Sequence, residues 1–278
     1  MDRLFCLPIM ILDKTVNVVA NEALGNGNFL LTFAEETIAG EMLPGQFFMV
    51  GMPGSGILLR RPFSVCGLPG TFDDSPGDSL QVLYKVMGQG TQVLSGLGTG
   101  AALTVLGPLG NGFTVPGPEV TPVFVAGGIG SAPYPALTRA CAAAGCPDPV
   151  MFYGARSAAD LPLLDWFDDH CGELHTATED GSAGEQGLVT GPLLRWLEGR
   201  DPTTYELIAC GPDPMLHAIR NIAVPAGLRC QLSLEAHMAC GFGVCIGCVV
   251  PTHGEDGAVD YTRICVDGPV LPAEKLAW

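Results

Sequence analysis

The chain has 278 residues, 29 acidic against 13 basic, a formal net charge of −16 and 47% hydrophobic residues. That length carries two domains, or two and a small appendage, with material for sizeable cores. A surface this acidic repels nucleic-acid phosphates and anionic membranes, so neither is an expected partner.

The N-terminal run MDRLFCLPIMILDK has a short apolar stretch without a small-residue cleavage site, and a first strand is expected there rather than a signal peptide. Short apolar or alternating runs then recur at 15–20, 29–33, 46–50, 63–66, 80–86 and 102–106. Turn residues separate them, including a predicted hairpin tip over Thr71–Asp78. Runs this short and this closely spaced predict a small antiparallel β-barrel over 1–118. The uncharged stretch Met87–Pro118 is too interrupted by glycine and proline for a membrane helix.

From Thr121 the pattern changes. Val123–Ala126 reads as a buried strand, followed by a glycine turn, an alanine-rich helix over 135–144 and a strand over 150–153. Segments 174–178, 191–198, 205–209 and 214–221 continue the alternation, which predicts an α/β parallel-sheet nucleotide domain over 119–230. Residues 231–278 remain as a small C-terminal module.

That module carries the most specific signal. Cys240, Cys245, Cys248 and Cys265 are spaced C-x4-C-x2-C-x16-C, the plant-type arrangement for a [2Fe–2S] cluster. Glycines interleave the loop thiolates and let backbone amides point at sulfur. Four cysteines also suit zinc, although zinc sites more often show two C-x2-C pairs. The other scattered cysteines, Cys6, Cys66, Cys141, Cys146, Cys171 and Cys230, are expected as buried free thiols. Eleven cysteines in a chain too long to need a disulfide framework point to a reducing cytoplasm.

Further motifs sit at expected strand ends. Arg61-Pro62-Phe63-Ser64 opens a barrel strand, and Leu83-Tyr84-Lys85 leads into Gly88-Gln89-Gly90-Thr91 at an expected helix start, where amides reach a phosphate. Gly107–Phe113 is a compact turn that can close the barrel. Gly127, Gly128 and Gly130 follow the first strand of the second domain, Tyr153–Arg156 the next, and Cys210-Gly211-Pro212 a later one. Ligands bind at strand C-terminal ends in such sheets.

Together these elements resemble the ferredoxin–NADP reductase superfamily. The resemblance implies that Arg61, Pro62, Phe63, Ser64, Leu83, Tyr84, Lys85, Gly90 and Thr91 hold FAD. Gly127, Gly128, Gly130, Arg156, Cys210 and Gly211 would then hold NAD, with adenosine contacts from Thr178–Ser182. The acidic Asp160 near Arg156, with little basic company, favours NAD over NADP. Many relatives have tyrosine where this chain has Phe63. The cysteine loop joined to Cys265-Val266-Asp267-Gly268-Pro269 resembles, over essentially the full chain, the electron-transfer subunits of NAD-dependent (type B) dihydroorotate dehydrogenases.

The fold implied is α+β multidomain: an antiparallel β-barrel FAD domain, a parallel-sheet nucleotide domain and a [2Fe–2S] module. The implied function is relay of electrons from an FMN-containing catalytic subunit through the cluster and FAD to NAD⁺, in a heterotetramer serving pyrimidine biosynthesis. No residue looks suited to oxidise dihydroorotate itself, so no catalytic residue is assigned. Two alternatives stand beside this reading. One is the small subunit of an NADH-dependent ferredoxin–NADP reductase or sulfide dehydrogenase, whose members often have aspartate where this chain has Cys240. The other is a non-enzymatic iron–sulfur redox sensor. Glu235 is preferred to His237 as a proton relay. Met238, Phe242, Val244 and Ile246 either dock the partner or pack inward.

Overall fold

The structure is a computed structural model that describes residues 10–72 and 77–278. Six strands form the first sheet: β1 (Leu12–Gly25), β2 (Asn28–Ala34), β3 (Phe47–Gly51), β4 (Arg61–Ser64), β5 (Ser79–Lys85) and β6 (Ala102–Leu109). Their order is β4-β3-β6-β1-β2-β5, all antiparallel. β1 is long enough to turn a corner. Its first half pairs with β6, and its second half pairs with β2 after a register shift between Val18 and Ala20. The β1–β2 hairpin closes on Asn26-Gly27, with φ of +46° and +74°, the pairing that a two-residue type I′ turn requires. Closure comes just past β4, where Cys66 N donates to Gln81 O (2.8 Å) and Gln81 N donates to Gly67 O (2.9 Å). Two short helices, α1 (Glu36–Glu41) and α2 (Gln89–Ser95), cover the ends. Residues 73–76 of the expected hairpin tip lie outside the described residues, as does Cys6.

The second sheet contains β7 (Thr121–Gly127), β8 (Val150–Ala155), β9 (Glu173–Thr178), β10 (Glu185–Gln186), β11 (Tyr205–Cys210), β12 (Cys230–Ser233) and β15 (Val270–Pro272). Helices α3 (Tyr134–Ala143), α4 (Leu164–His170), α5 (Thr190–Leu197) and α6 (Asp213–Ala223) connect them. The order β10-β9-β8-β7-β11-β12-β15 is parallel up to β12, and β15 adds antiparallel at the edge. The chain runs outward from β7 through β10, then returns to the other side of β7 as β11. The reversal opens a crevice at the C-terminal ends of β7 and β11, where such sheets take ligands.

β12 begins at Cys230, so the boundary expected between 230 and 231 falls within a strand. The C-terminal segment adds the hairpin β13 (Val249–His253) with β14 (Val259–Arg263) and sends β15 back to β12. Cys248, Ile264 and Cys265 are buried in one core with Val123 and Leu207 of the nucleotide sheet and Phe47, Met49 and Leu109 of the barrel. The barrel interior is a separate core that includes Phe33, Phe48, Val50, Leu80 and Val105. Among the described residues no helix is long and apolar enough to cross a membrane. Cys66, Cys141 and Cys230 are buried free thiols as expected, whereas Cys146 and Cys171 are only half-buried.

Candidate functional site

A cleft of about 290 Å³ opens between the two sheets. The barrel contributes Arg61, Pro62, Phe63 and Ser64 of β4, Leu83, Tyr84 and Lys85 of β5, Thr91 of α2 and Phe47 of β3. The nucleotide sheet contributes Gly130 and Cys210, and the C-terminal segment contributes Glu235, Met238 and Pro269. Eight of the barrel residues expected at a flavin thus share one wall.

The ninth, Gly90, acts through its missing side chain. A Cβ there would lie 2.9 Å from Arg61 Nε, so glycine lets the guanidinium cross the start of α2. Arg61 Nη1 donates to Leu59 O (2.6 Å). Thr91 Oγ1 accepts from Met87 N (2.8 Å) and Gly88 N (3.2 Å), which closes the first turn of α2. The Tyr84 ring stacks on Phe29 and leans on Phe63. Its hydroxyl donates to Asn21 Oδ1 (3.0 Å). Burial pushes this phenol up to about 12 against the pull of Asn21.

On the opposite wall two glycine turns pack face to face. A Cβ on Gly130 would lie 2.4 Å from Cys210 O, one on Gly127 2.6 Å from Pro212 Cδ, and one on Gly211 2.6 Å from Met215 Cε. Only Gly128 has a left-handed φ, +53°. Contact between the turns therefore demands Gly127, Gly130 and Gly211. Gly127, Gly128 and Gly211 do not line the cleft. Cys210 is at the cleft but buried; desolvation first, then Glu235, raises its thiol to about 12 against a hydrogen bond with Ser233, so it is neutral at physiological pH. Arg156 lies outside the cleft, exposed beyond β8, where its carbonyl accepts from Asp180 N (3.2 Å). The Arg156 and Thr178–Ser182 loops are thus neighbours, and Ala158 N also donates to Ser182 Oγ (2.8 Å). Asp160 departs from its expected part. Its carboxylate is already committed to Lys85, Asn26 and Ser157, so it offers no support for NAD over NADP.

Glu235 lines the cleft and is exposed there. Desolvation of its carboxyl by the surrounding protein, then the charge of Asp213, raises it above the ordinary range. His237 does not line the cleft.

The cysteine loop follows directly. Gly241 and Gly243 have φ of +81° and +89°. A Cβ on Gly241 would lie 2.4 Å from Met49 Cγ, and one on Gly243 2.6 Å from Val266 Cγ2, so the loop is pressed against β3 and the fourth-cysteine segment. Ile246 holds a φ of +56°, unfavourable for a β-branched residue. Arg263 Nη1 donates to Gly243 O (3.2 Å) and braces the loop. The Gly107–Phe113 turn holds the segment after Cys265: Asn111 Nδ2 donates to Asp267 O (3.0 Å), and Gly110 leaves room for Gly268 O. That role was not visible in the turn itself.

The donor set suits an iron–sulfur group. Burial raises the Cys240 thiol, but the amides of Cys245, Phe242 and Val244 outweigh it and bring it down to about 6. Cys245 N lies 3.5 Å from Cys240 Sγ. These amides favour an anionic sulfur, which a cluster supplies. Burial and then Cys248 raise Cys265 to about 12, with a further push from Cys240. The thiols act on one another, Cys240 with Cys245 and Cys265 with both Cys248 and Cys240.

An antiparallel barrel facing the switch point of a parallel sheet, with a cysteine loop at their junction, defines a two-domain reductase with an iron–sulfur module. Comparison with known proteins narrows the class. Residues 124–221 match the oxidoreductase NAD-binding domain, and 235–277 match the iron–sulfur cluster binding domain of dihydroorotate dehydrogenase B. The dihydroorotate dehydrogenase B (NAD⁺) electron transfer subunit of Caldanaerobacter subterraneus subsp. tengcongensis is 35% identical, over 93% of this chain and 96% of its own. Its counterpart from Listeria monocytogenes is 36% identical, over 95% and 99%. A solved NADH-dependent reduced ferredoxin–NADP oxidoreductase superposes with a TM-score of 0.80 at 27% identity, covering 95% of this chain and 90% of that one. The ferredoxin reductase of carbazole 1,9a-dioxygenase shares the fold, with a TM-score of 0.65 at 22% identity over 80% and 68%. The chain belongs to the electron transfer subunits of dihydroorotate dehydrogenase B. It is an oxidoreductase subunit of pyrimidine biosynthesis that works with a [2Fe–2S] cluster, FAD and NAD.

Proposed function

We propose that this chain carries electrons between an FMN-containing dihydroorotate dehydrogenase catalytic subunit and NAD⁺ in a cytoplasmic heterotetramer. Cys240, Cys245, Cys248 and Cys265 hold the cluster, the β4, β5 and α2 residues hold FAD, and Gly130, Cys210 and the Arg156 loop receive the nucleotide. One observation carries the reading: a single cleft is lined by the barrel, by the end of β11 and by Met238 and Pro269, which flank the cysteine positions in sequence. When bound, a cluster passes one electron at a time, a nicotinamide takes two, and a flavin does both.

The chain's residues supply order and environment. The Arg61 guanidinium beside Gly90 attracts an anionic diphosphate to the start of α2. Phe63 and Tyr84, their rings tilted 60° to each other, give an aromatic wall for a ring. Cys210 stays uncharged where a nicotinamide approaches. Glu235 holds a proton at the cleft edge more readily than an ordinary carboxylate. Of the four apolar residues expected near the cluster, Met238 packs inward, while Phe242, Val244 and Ile246 are 46%, 71% and 63% exposed. In so acidic a chain these three are the face offered to the catalytic subunit. The free thiols among the described cysteines fit a reducing compartment.

The test is to isolate the full chain anaerobically, with and without its co-purifying partner. The chain alone should oxidise NADH with ferricyanide, and the complex alone should couple dihydroorotate to NAD⁺. A preparation free of both flavin and acid-labile sulfide overturns the proposal.

A further inference from the structure

Asp160 gathers contacts from segments far apart in sequence. Asn26 Nδ2, at the tip of the β1–β2 turn, donates to its Oδ1 (2.7 Å). Lys85 Nζ, at the end of β5, forms an ion pair with the same oxygen. Ser157 Oγ donates to Oδ2 (3.2 Å) within the loop. Next to it, Asn28 Nδ2, on a residue 1% exposed, donates to Ala159 O (3.3 Å). The barrel thus grips the 156–160 loop at both a side chain and the backbone. The type I′ geometry of Asn26-Gly27 aims the Asn26 amide outward to this contact. Lys85 also lines the flavin cleft, so one lysine touches the cleft and the loop together.

We propose that Asp160 is a positioning residue. It fixes the 156–160 loop against the flavin barrel so that affinity for the nicotinamide nucleotide depends on the barrel's hold. The proposal rests on the electron-relay reading, in which that loop receives the nucleotide. The loop meets the Thr178–Ser182 loop through Arg156 O and Ser182 Oγ, so releasing it moves both surfaces beyond β8 and β9. A bridge serving only stability would act on thermal unfolding and leave nucleotide binding alone.

The experiment uses the FAD-loaded full chain and steady-state NADH:ferricyanide kinetics. Asp160→Asn keeps the shape and removes the charge; Asn26→Gly keeps the turn and removes one hydrogen bond. Asp160→Asn is expected to raise KM for NADH roughly five- to tenfold, the scale of a half-buried ion pair with added hydrogen bonds. Its kcat should stay within about twofold and its FAD content unchanged, with Asp160→Glu partly restoring KM. Asn26→Gly should move KM the same way by about twofold, the scale of one weak hydrogen bond. Unchanged KM in both variants, or loss of FAD from Asp160→Asn, overturns the proposal. Wild-type chain that holds FAD but does not oxidise NADH at all defeats the relay reading itself, and this one with it.

Discussion

Gly241 gives the sharpest perturbation of the cluster. Its φ is +81°, and a Cβ would lie 2.4 Å from Met49 Cγ and 2.9 Å from Met49 Sδ. Met49 is fully buried and cannot swing into solvent. Gly241→Ala therefore incurs two costs: about 1–2 kcal/mol for a left-handed alanine and about 1–3 kcal/mol for overpacking. Together, about 2–5 kcal/mol shifts the loop equilibrium away from its seat on β3 by roughly thirtyfold to several thousandfold. Gly257→Ala is the matched control, because its φ is +78° and a Cβ there meets nothing within 4 Å. It carries the backbone cost without the collision. Iron and acid-labile sulfide per chain, and the visible spectrum after anaerobic purification, read the outcome. Gly241→Ala should lose most of its cluster while retaining FAD and NADH:ferricyanide activity, and Gly257→Ala should keep all three. A Gly241→Ala protein with a full cluster would refute the claim that close contact with Met49 seats the loop.

Three further outcomes follow from the same geometry. The Glu235 carboxyl is raised above its ordinary 4.5, so from that pH up to its folded value the folded chain binds more protons than the unfolded one and stability falls as pH rises. Glu235→Gln should flatten Tm against pH above 4.5, measured by calorimetry; a curve parallel to wild type counts against a raised, partly desolvated carboxyl. Val244→Asp with Ile246→Asp should weaken binding of the catalytic subunit by roughly ten- to hundredfold in a pull-down titration without altering diaphorase activity. Unaltered binding moves the docking face elsewhere. Arg61→Ala should raise the FAD dissociation constant at least roughly tenfold, the scale of a charge-assisted hydrogen bond, as read by flavin fluorescence on dilution. Retained FAD affinity would remove Arg61 from the site.

The cysteine spacing and the six barrel strands were legible because their signals are local. Thiol spacing, strand alternation and turn residues each act over a few positions. Helix α4 was missed because Pro162 and the left-handed Leu163 (φ +60°) hide its start. The β13–β14 hairpin was missed although its Gly254-Glu255-Asp256-Gly257 turn is a local signal, whereas the return of β15 to β12 is defined by remote packing. The site residues divide the same way. Arg61, Ser64, Tyr84 and Thr91 could be placed by motif, whereas the reasons for Gly90, Gly130 and Gly110 lie in side chains and backbone from remote segments. Asp160 was misjudged on the same ground. Its charge was visible, but its partners at positions 26 and 85 were not.

Strand β3 links these levels. Successive residues of a strand face opposite sides. Phe48 and Val50 fill the barrel interior, while Phe47 and Met49 join the core shared with the nucleotide sheet and the cysteine segment. On that outer side Phe47 lines the cleft and Met49 seats Gly241. Flavin-side and cluster-side contacts are therefore neighbours on one strand, about 7 Å apart along it. β4 pairs with this stretch in unbroken register, while on the β6 flank the register shifts between Phe47 and Met49. A one-residue register slip would send both contacts into the barrel. The pleat of a single strand thus ties correct folding of the barrel to the close approach that electron transfer needs.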